Sequence, residues 1–152
     1  MKRSILALAF LLMFVTNLNA QHGHPSAREE KPVVLLTGLG ETSHPVATTS
    51  AEAQKFFNQG FILVYGFNHD EAARAFRRAA ELDSQMAMAY WGLALAVGPN
   101  YNENAISPER LKMAYDAAQK GLALAVKGPE HERAYLEALA KRFSAAPDAD
   151  QK

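Results

Sequence analysis

The chain has 152 residues, 49% of them apolar, and its 16 basic side chains are balanced by 16 acidic ones. This length and apolar content fit one folded domain, and the charge balance argues against nucleic acid as a partner. The sequence contains no cysteine, which excludes disulfide bonds, thiolate metal sites, a catalytic thiol and a lipid-modified N-terminal cysteine.

Residues 1–20 have the pattern of a secretory signal peptide. Two basic residues precede an apolar run from Ile5 to Val15, and Ala20 supplies the small residue expected at a cleavage site. The run is shorter than the roughly 17 to 25 residues of a membrane-spanning helix, and an uncleaved N-terminal anchor is the alternative. The sequence therefore predicts a periplasmic or secreted protein that begins at Gln21 and has no stable membrane span after cleavage.

Residues 21–48 are interpreted as an extended lead segment, because histidine, proline, glycine and charged residues are mixed there without helical spacing. Its apolar island, Val33 to Leu36, has a β-branched start but no evident partner strand elsewhere. We therefore expect this island to dock on a helical surface.

Residues 49–143 are predicted to be helical, because apolar side chains recur there at intervals of three and four. The first helix is expected over about 50–65, with Thr49 and Glu52 at the spacing of a capping box. A second helix starts after Asn68 and packs on the first as an antiparallel hairpin. Gly60 costs the first helix about 1 kcal/mol relative to alanine, so we expect another backbone to approach closely there.

A third helix, capped by Asp83 or Ser84, is expected to end at Val97 and to bury one stripe of apolar residues. After a loop at 98–106, a fourth helix covers about 108–126 and a fifth about 129–143. Residues 144–152 are interpreted as a disordered tail or as the point where a longer protein was cut.

Aromatic and small residues recur with a fixed period in this helical part. Phe56 and Tyr90 lie 34 positions apart, as do Gly60 and Ala94. A helix-turn-helix repeat of this length resembles the tetratricopeptide repeat family. The residues that would pack the repeats are Phe56, Gly60, Ala72, Phe76, Ala79, Tyr90, Leu93 and Ala94.

The second repeat departs from this pattern, since Ala72 and Phe76 find their counterparts at Ala114 and Ala118, 42 positions on. The fifth helix would start a third repeat that has no second helix in this sequence. The chain thus resembles the N-terminal part of a longer exported bacterial repeat protein, although a short array capped by the lead segment and the fifth helix is the alternative.

The resemblance implies an all-α fold of tetratricopeptide-like hairpins, stacked as a short right-handed α-solenoid. It also implies a scaffold whose concave face, formed by the first helix of each hairpin, binds a peptide or another protein. We expect no cofactor and no enzymatic activity, and the oligomeric state stays open. The expected partner-binding residues are Gln54, Asn58, Ile62, Tyr65, Met88, Trp91 and Leu95.

The alternative function is a metal-handling or catalytic protein that uses His22, His24, His44 and His69. His22 and His24, with the new amino terminus, have nitrogen ligands suited to Cu(II) or Ni(II), but a solvated tail explains them as well. His69 stands between Asn68 and Asp70, and ordinary capping of a helix start accounts for that group.

Overall fold

Five α-helices make up the regular structure of the described residues. The computed structural model describes residues 31–103 and 105–143, and within these ranges it contains no β-strand. The predicted all-α class is confirmed. Residues 1–30 and 144–152, which include the predicted signal peptide, His22, His24 and the predicted tail, lie outside the described residues. The helices are α1 (Ala51–Tyr65), α2 (His69–Leu82), α3 (Ala87–Val97), α4 (Pro108–Ala125) and α5 (Glu130–Ala140).

The helices pack in chain order, so that α1 with α2 and α3 with α4 form two hairpins. In addition, α1 contacts α3 and α3 contacts α5, whereas the backbones of α2 and α4 stay apart within the described ranges and the Arg77 side chain of α2 reaches the Met113 sulfur of α4 at 3.1 Å. The odd-numbered helices therefore form one continuous row. We call the surface of this row the α1/α3/α5 face.

The caps show where local sequence signals decided the helix starts. Asn68 accepts a hydrogen bond from the Glu71 N–H and begins α2, and Ser107 begins α4 with proline in the first turn, both as predicted. The predicted Thr49 cap is wrong, because Ser50 fills that position and its hydroxyl accepts from the Ala53 N–H at 3.1 Å. Thr49 and Ser50 are the last two residues before α1, and either could cap the helix. In the structure Ser50 is the cap.

The start of α3 also differs from the prediction. Neither Asp83 nor Ser84 caps this helix, because Asp83 ends α2 and its carboxylate accepts the Gln85 N–H within a turn. Met86 holds the cap position without a side-chain hydrogen bond. Its side chain is fully buried, so packing rather than capping sets this helix start.

Phe76 of α2 lies between glycines of two neighbouring helices. A Cβ atom on Gly60 of α1 would come within 2.9 Å of the Phe76 ring, and one on Gly92 of α3 within 2.2 Å. Phe76 is fully buried, and Phe57 meets it edge-on at 5.4 Å between ring centroids. The close approach predicted at Gly60 is confirmed, but the neighbour is an aromatic ring rather than the expected backbone.

The central helix α3 is buried on more than the one predicted stripe. It contacts α1, α2, α4 and α5, so little of its circumference is free. Met88, expected on an open binding surface, is only 1% exposed, and that expectation was wrong. The buried residues of α3 are Ala87, Met88, Ala89, Gly92, Ala94, Ala96 and Val97.

The turn between α1 and α2 places a phenylalanine where glycine is usual. Phe67 has φ of 59°, its N–H donates to the Val64 carbonyl, and the Asn68 N–H donates to the Leu63 carbonyl. These two bonds form the Schellman arrangement that ends many helices, in which the left-handed residue is most often glycine. The adjacent Gly66 keeps an ordinary φ of −82°.

We expect Phe67→Gly to raise the free energy of unfolding by about 0.5 to 1 kcal/mol, because it removes the left-handed strain of a residue with a Cβ. Phe67 is 65% exposed, so little packing is lost. Urea denaturation measures the change, and Phe67→Ala is the control because it keeps the strain. Equal stabilities of the two variants would contradict the prediction.

Candidate functional site

The described part of the lead segment, residues 31–48, has no regular secondary structure and follows α1 in the opposite direction. Its early residues bond to the middle of α1, whereas Val46 bonds to Gln54 near the start of that helix. The predicted docking of the apolar island on a helical surface is confirmed, and the surface is that of α1. Val33 packs against the hydrophobic core and the Gln59 side chain bonds to the main chain of the island, while Val34, Leu35 and Leu36 stay exposed.

Gln59 provides the first of these contacts. Its side-chain Oε1 accepts the Leu36 N–H at 2.7 Å, and its Nε2 donates to the Val34 carbonyl at 3.0 Å. One side-chain amide thus pairs with an N–H and a C=O of the same extended stretch, as a peptide group of a neighbouring strand would. The Gln59 residue is only 6% exposed. The sequence analysis missed it, although a glutamine beside the apolar stripe of α1 was a visible signal.

Gln54 and Asn58, both expected in partner binding, hold the later part of the lead segment. The Gln54 Oε1 accepts the Val46 N–H at 3.1 Å, and its Nε2 donates to the His44 carbonyl at 2.9 Å. The Asn58 Oδ1 accepts the His44 N–H at 3.2 Å and also a bond from Gln54. The side-chain amides of Gln54 and Asn58 therefore bond to main-chain groups of the lead segment.

Glu132 of α5 fastens the lead segment at its far end. Its carboxylate accepts the Ala47 N–H at 2.6 Å, and the residue is 2% exposed. Glu132 lies in the first turn of α5, where the positive end of the helix dipole favours an acid. This contact spans 85 positions of sequence, so local patterns gave no sign of it.

Thr48 adds a neighbouring contact, since its hydroxyl donates to the Asp83 carboxylate at 2.6 Å. This hydrogen bond lowers the pKa of Asp83 below its ordinary value, against the opposing effect of partial burial. The end of the lead segment is thereby tied to the turn between α2 and α3.

A small pocket lies between the lead segment and the α1/α3/α5 face. We call it the aromatic pocket; its volume is about 80 Å³ and its lining residues are His44, Phe61, Tyr65, Met88, Trp91 and Tyr135. It brings together three of the expected partner-binding residues, Tyr65, Met88 and Trp91. Tyr135 was missed, because no partner-binding residue was predicted on the fifth helix.

The remaining expected partner-binding residues lie apart from this pocket. Ile62 lines an open cleft of about 570 Å³ between α1 and residues 35–43 of the lead segment. Leu95 is partly buried and packs against the core. The face therefore has two concave regions, one on either side of the hydrogen-bonded lead segment.

His44 and His69, the two described histidines of the alternative metal site, lie next to aromatic rings. The His44 ring stacks on Phe61 with centroids 4.7 Å apart. Both ring nitrogens of His69 are buried without a hydrogen-bond partner in the described ranges, and Phe67 meets this ring edge-on at 6.4 Å. Within residues 31–103 and 105–143, no three His, Asp or Glu side chains come together as metal ligands would.

We expect Glu132→Ala to lower the free energy of unfolding by about 1.5 to 3 kcal/mol, because the Ala47 N–H loses a charged acceptor. Glu132→Gln keeps an acceptor oxygen and should restore most of the loss. Glu130→Ala is the matched control, since Glu130 is an exposed acid in the same helical turn and reports the dipole effect alone. Equal losses for Glu132→Ala and Glu130→Ala in urea denaturation would contradict the prediction.

Comparisons of this chain with models of protein families, with curated proteins and with solved structures gave no match. Among the described helices, none combines the length and apolarity needed to cross a membrane. The function must therefore be argued from the α1/α3/α5 face itself.

Proposed function

We propose that this chain binds extended polypeptide segments on the α1/α3/α5 face and acts as an exported interaction scaffold. The observation that carries the proposal is the amide row of α1, formed by Gln54, Asn58 and Gln59, which holds main-chain groups of residues 34–46. Main-chain hydrogen bonds provide affinity for an extended peptide, and neighbouring pockets provide specificity.

The helix arrangement supports a tetratricopeptide-like α-solenoid as the scaffold. Two consecutive hairpins place their first helices in contact, and α5 continues that row, while α2 and α4 are linked by the side chains of Arg77 and Met113. A row of first helices is the surface expected to bind a partner in such a stack. The right-handed superhelix is part of the proposal.

The contacts of the lead segment support a specific mode of holding a partner. It occupies the amide row in cis, where a covalent connection to α1 provides an effective concentration that reaches the millimolar range for short linkers. A partner peptide that uses the same amides must therefore displace residues 34–46. The lead segment thus limits access to this row to partners that bind it more tightly or are present at high concentration.

A peptide competition experiment tests the proposal. Proline has no N–H to donate, so Leu36→Pro combined with Val46→Pro removes two lead-segment donors without altering any helix. We expect a fluorescent peptide with the sequence of residues 31–48 to bind this double variant in fluorescence anisotropy, and to bind the unchanged chain more weakly.

Adding Gln59→Leu to the double variant should abolish peptide binding, because the exchange removes the acceptor of one main-chain N–H and the donor to one carbonyl. Gln119→Leu is the matched control, since Gln119 is an exposed residue of α4. Failure of a folded double variant to bind the peptide, or an equal effect of Gln59→Leu and Gln119→Leu, would contradict the proposal.

Export is the second part of the proposal and rests on residues 1–20. Intact-mass measurement of the protein recovered from outside the cytoplasm of a secreting host should give a chain that begins at Gln21. A recovered chain that retains Met1 would contradict export with cleavage.

A further inference from the structure

The aromatic pocket is built from rings on four separate elements. His44 comes from the lead segment, Phe61 and Tyr65 from α1, Trp91 from α3 and Tyr135 from α5. Met88, only 1% exposed, is the most buried residue of the lining. Rings that meet from several directions present both faces and edges to whatever enters.

Two of these rings are exposed and can contact a ligand from the solvent. Tyr65 is 66% exposed and Tyr135 49% exposed, and they stand on different helices at the same pocket. The Tyr65 ring lies edge-on to Phe61 at 5.0 Å, and the Tyr135 ring lies edge-on to Trp91 at 6.0 Å. Each exposed tyrosine is thus held in place by a less exposed ring behind it.

The electrostatics of the pocket favour a cation. The faces of aromatic rings carry negative electrostatic potential and attract ammonium groups within about 6 Å of the ring centroid. No lysine or arginine appears among the described residues that line the pocket.

The enclosed space of the pocket is small. Its volume of about 80 Å³ exceeds the roughly 30 Å³ of one water molecule and is well below the roughly 150 Å³ of an engineered cavity that binds benzene. A trimethylammonium head is at least as bulky as a benzene ring, so it would fill the enclosed space and extend between the exposed rings of Tyr65 and Tyr135.

We propose that the aromatic pocket binds a quaternary ammonium group, with the rings of Tyr65, Trp91 and Tyr135 as its principal contacts. The three principal rings lie outside the amide row of α1, but the His44 ring belongs to the lead segment whose main chain that row holds. The proposal therefore concerns the pocket with the lead segment in place, and it does not depend on the binding of a partner polypeptide. The same group can be presented by a free choline-type compound or by a trimethylated lysine in a peptide, and the test distinguishes these sources.

Tryptophan fluorescence provides a direct readout, because Trp91 is the only tryptophan in the whole sequence. We expect choline to produce a saturable fluorescence change in the full chain. 3,3-Dimethyl-1-butanol, which has the same shape without the charge, should bind at least about tenfold more weakly, since a desolvated cation–aromatic contact can contribute that much.

Tyr135→Leu should weaken choline binding by about tenfold, because it removes one ring from the pocket. Tyr101→Leu is the control, since Tyr101 is 96% exposed and does not line the pocket. Circular dichroism confirms that each variant is folded. Equal binding of choline and its neutral analogue, or no saturable signal from choline or a trimethyllysine peptide, would overturn the proposal.

A second titration compares a peptide containing trimethyllysine with the same peptide containing unmodified lysine. A preference for the trimethylated peptide over both unmodified lysine and free choline would assign the group to a polypeptide. Tighter binding of free choline would assign it to a small molecule. Either result supports the quaternary ammonium site. If Gln59→Leu abolishes binding of the peptide with the sequence of residues 31–48 but leaves choline binding unchanged, the two proposed sites are distinct.

Discussion

Replacing Phe76 with alanine is expected to lower the free energy of unfolding by about 3 to 5 kcal/mol, the range measured for large aromatic residues in protein cores. Phe76 is fully buried, and its ring fills the space left by Gly60 and Gly92. Two glycines that face the ring leave a cavity that neighbouring side chains cannot easily refill. The loss should therefore lie in the upper part of this range.

Urea denaturation followed by circular dichroism measures this loss. Tyr101→Ala is the control, because an aromatic side chain that is 96% exposed should change stability by no more than about 0.5 kcal/mol. A loss below about 1 kcal/mol for Phe76→Ala would show that the ring is not the centre of the α1, α2 and α3 contact, since even modest core truncations cost that much.

Replacing Gly92 with alanine is expected to destabilise the protein by about 1 to 3 kcal/mol through overpacking. Intrinsic helix propensity acts in the opposite direction and favours alanine by about 1 kcal/mol. The sign of the measured change therefore decides between close packing and local propensity. We expect packing to dominate, because the new Cβ would lie 2.2 Å from the Phe76 ring and one of the two helices must move.

A double variant shows whether the loss comes from this contact. Gly92→Ala combined with Phe76→Leu should be less destabilised than the sum of the single variants, since residues in direct contact couple by about 0.5 to 3 kcal/mol. Gly128→Ala is the control, because its Cβ would meet nothing closer than 3.4 Å. Strict additivity, or stabilisation by Gly92→Ala alone, would contradict the described packing.

Local signals were sufficient for most helix starts. Asn68 and the pair Ser107 and Pro108 mark the beginnings of α2 and α4 because their own side chains or ring favour a first helical turn. The cap of α1 was predicted one residue too early, at Thr49 instead of Ser50, since both side chains can cap a helix. The Thr48 hydroxyl, which donates to Asp83 and accepts the Ser50 N–H, is a tertiary constraint that the local sequence does not show.

The burial of α3 was predicted only in part, and the reason differs from the one that displaced the start of α1. Alanine and glycine occupy many of its positions, so apolar spacing defines no single face, and any face of such a helix can be covered. Met88 could therefore not be distinguished from an exposed groove residue by its position. Only the packing of four other helices around α3 determines that Met88 is buried.

The residues predicted to bind a partner could be chosen before the structure was known, but their contacts could not. Gln54 and Asn58 were assigned to the concave face from the resemblance to tetratricopeptide repeats, and in the structure they together contact residues 44 and 46 of the same chain. Glu132 and Tyr135 depend on α5 lying beside the lead segment and α3, which is a long-range arrangement. Sequence spacing within one helix carries no information about such contacts.

Residue-resolved amide hydrogen exchange of the full chain tests most directly whether side chains of the α1/α3/α5 face hold an extended backbone. The N–H groups of Leu36, His44, Val46 and Ala47 each donate to a side chain of α1 or α5. We predict slow exchange at these four positions and fast exchange from Gly38 to Ser43. Uniformly fast exchange from Leu36 to Ala47 would contradict the account.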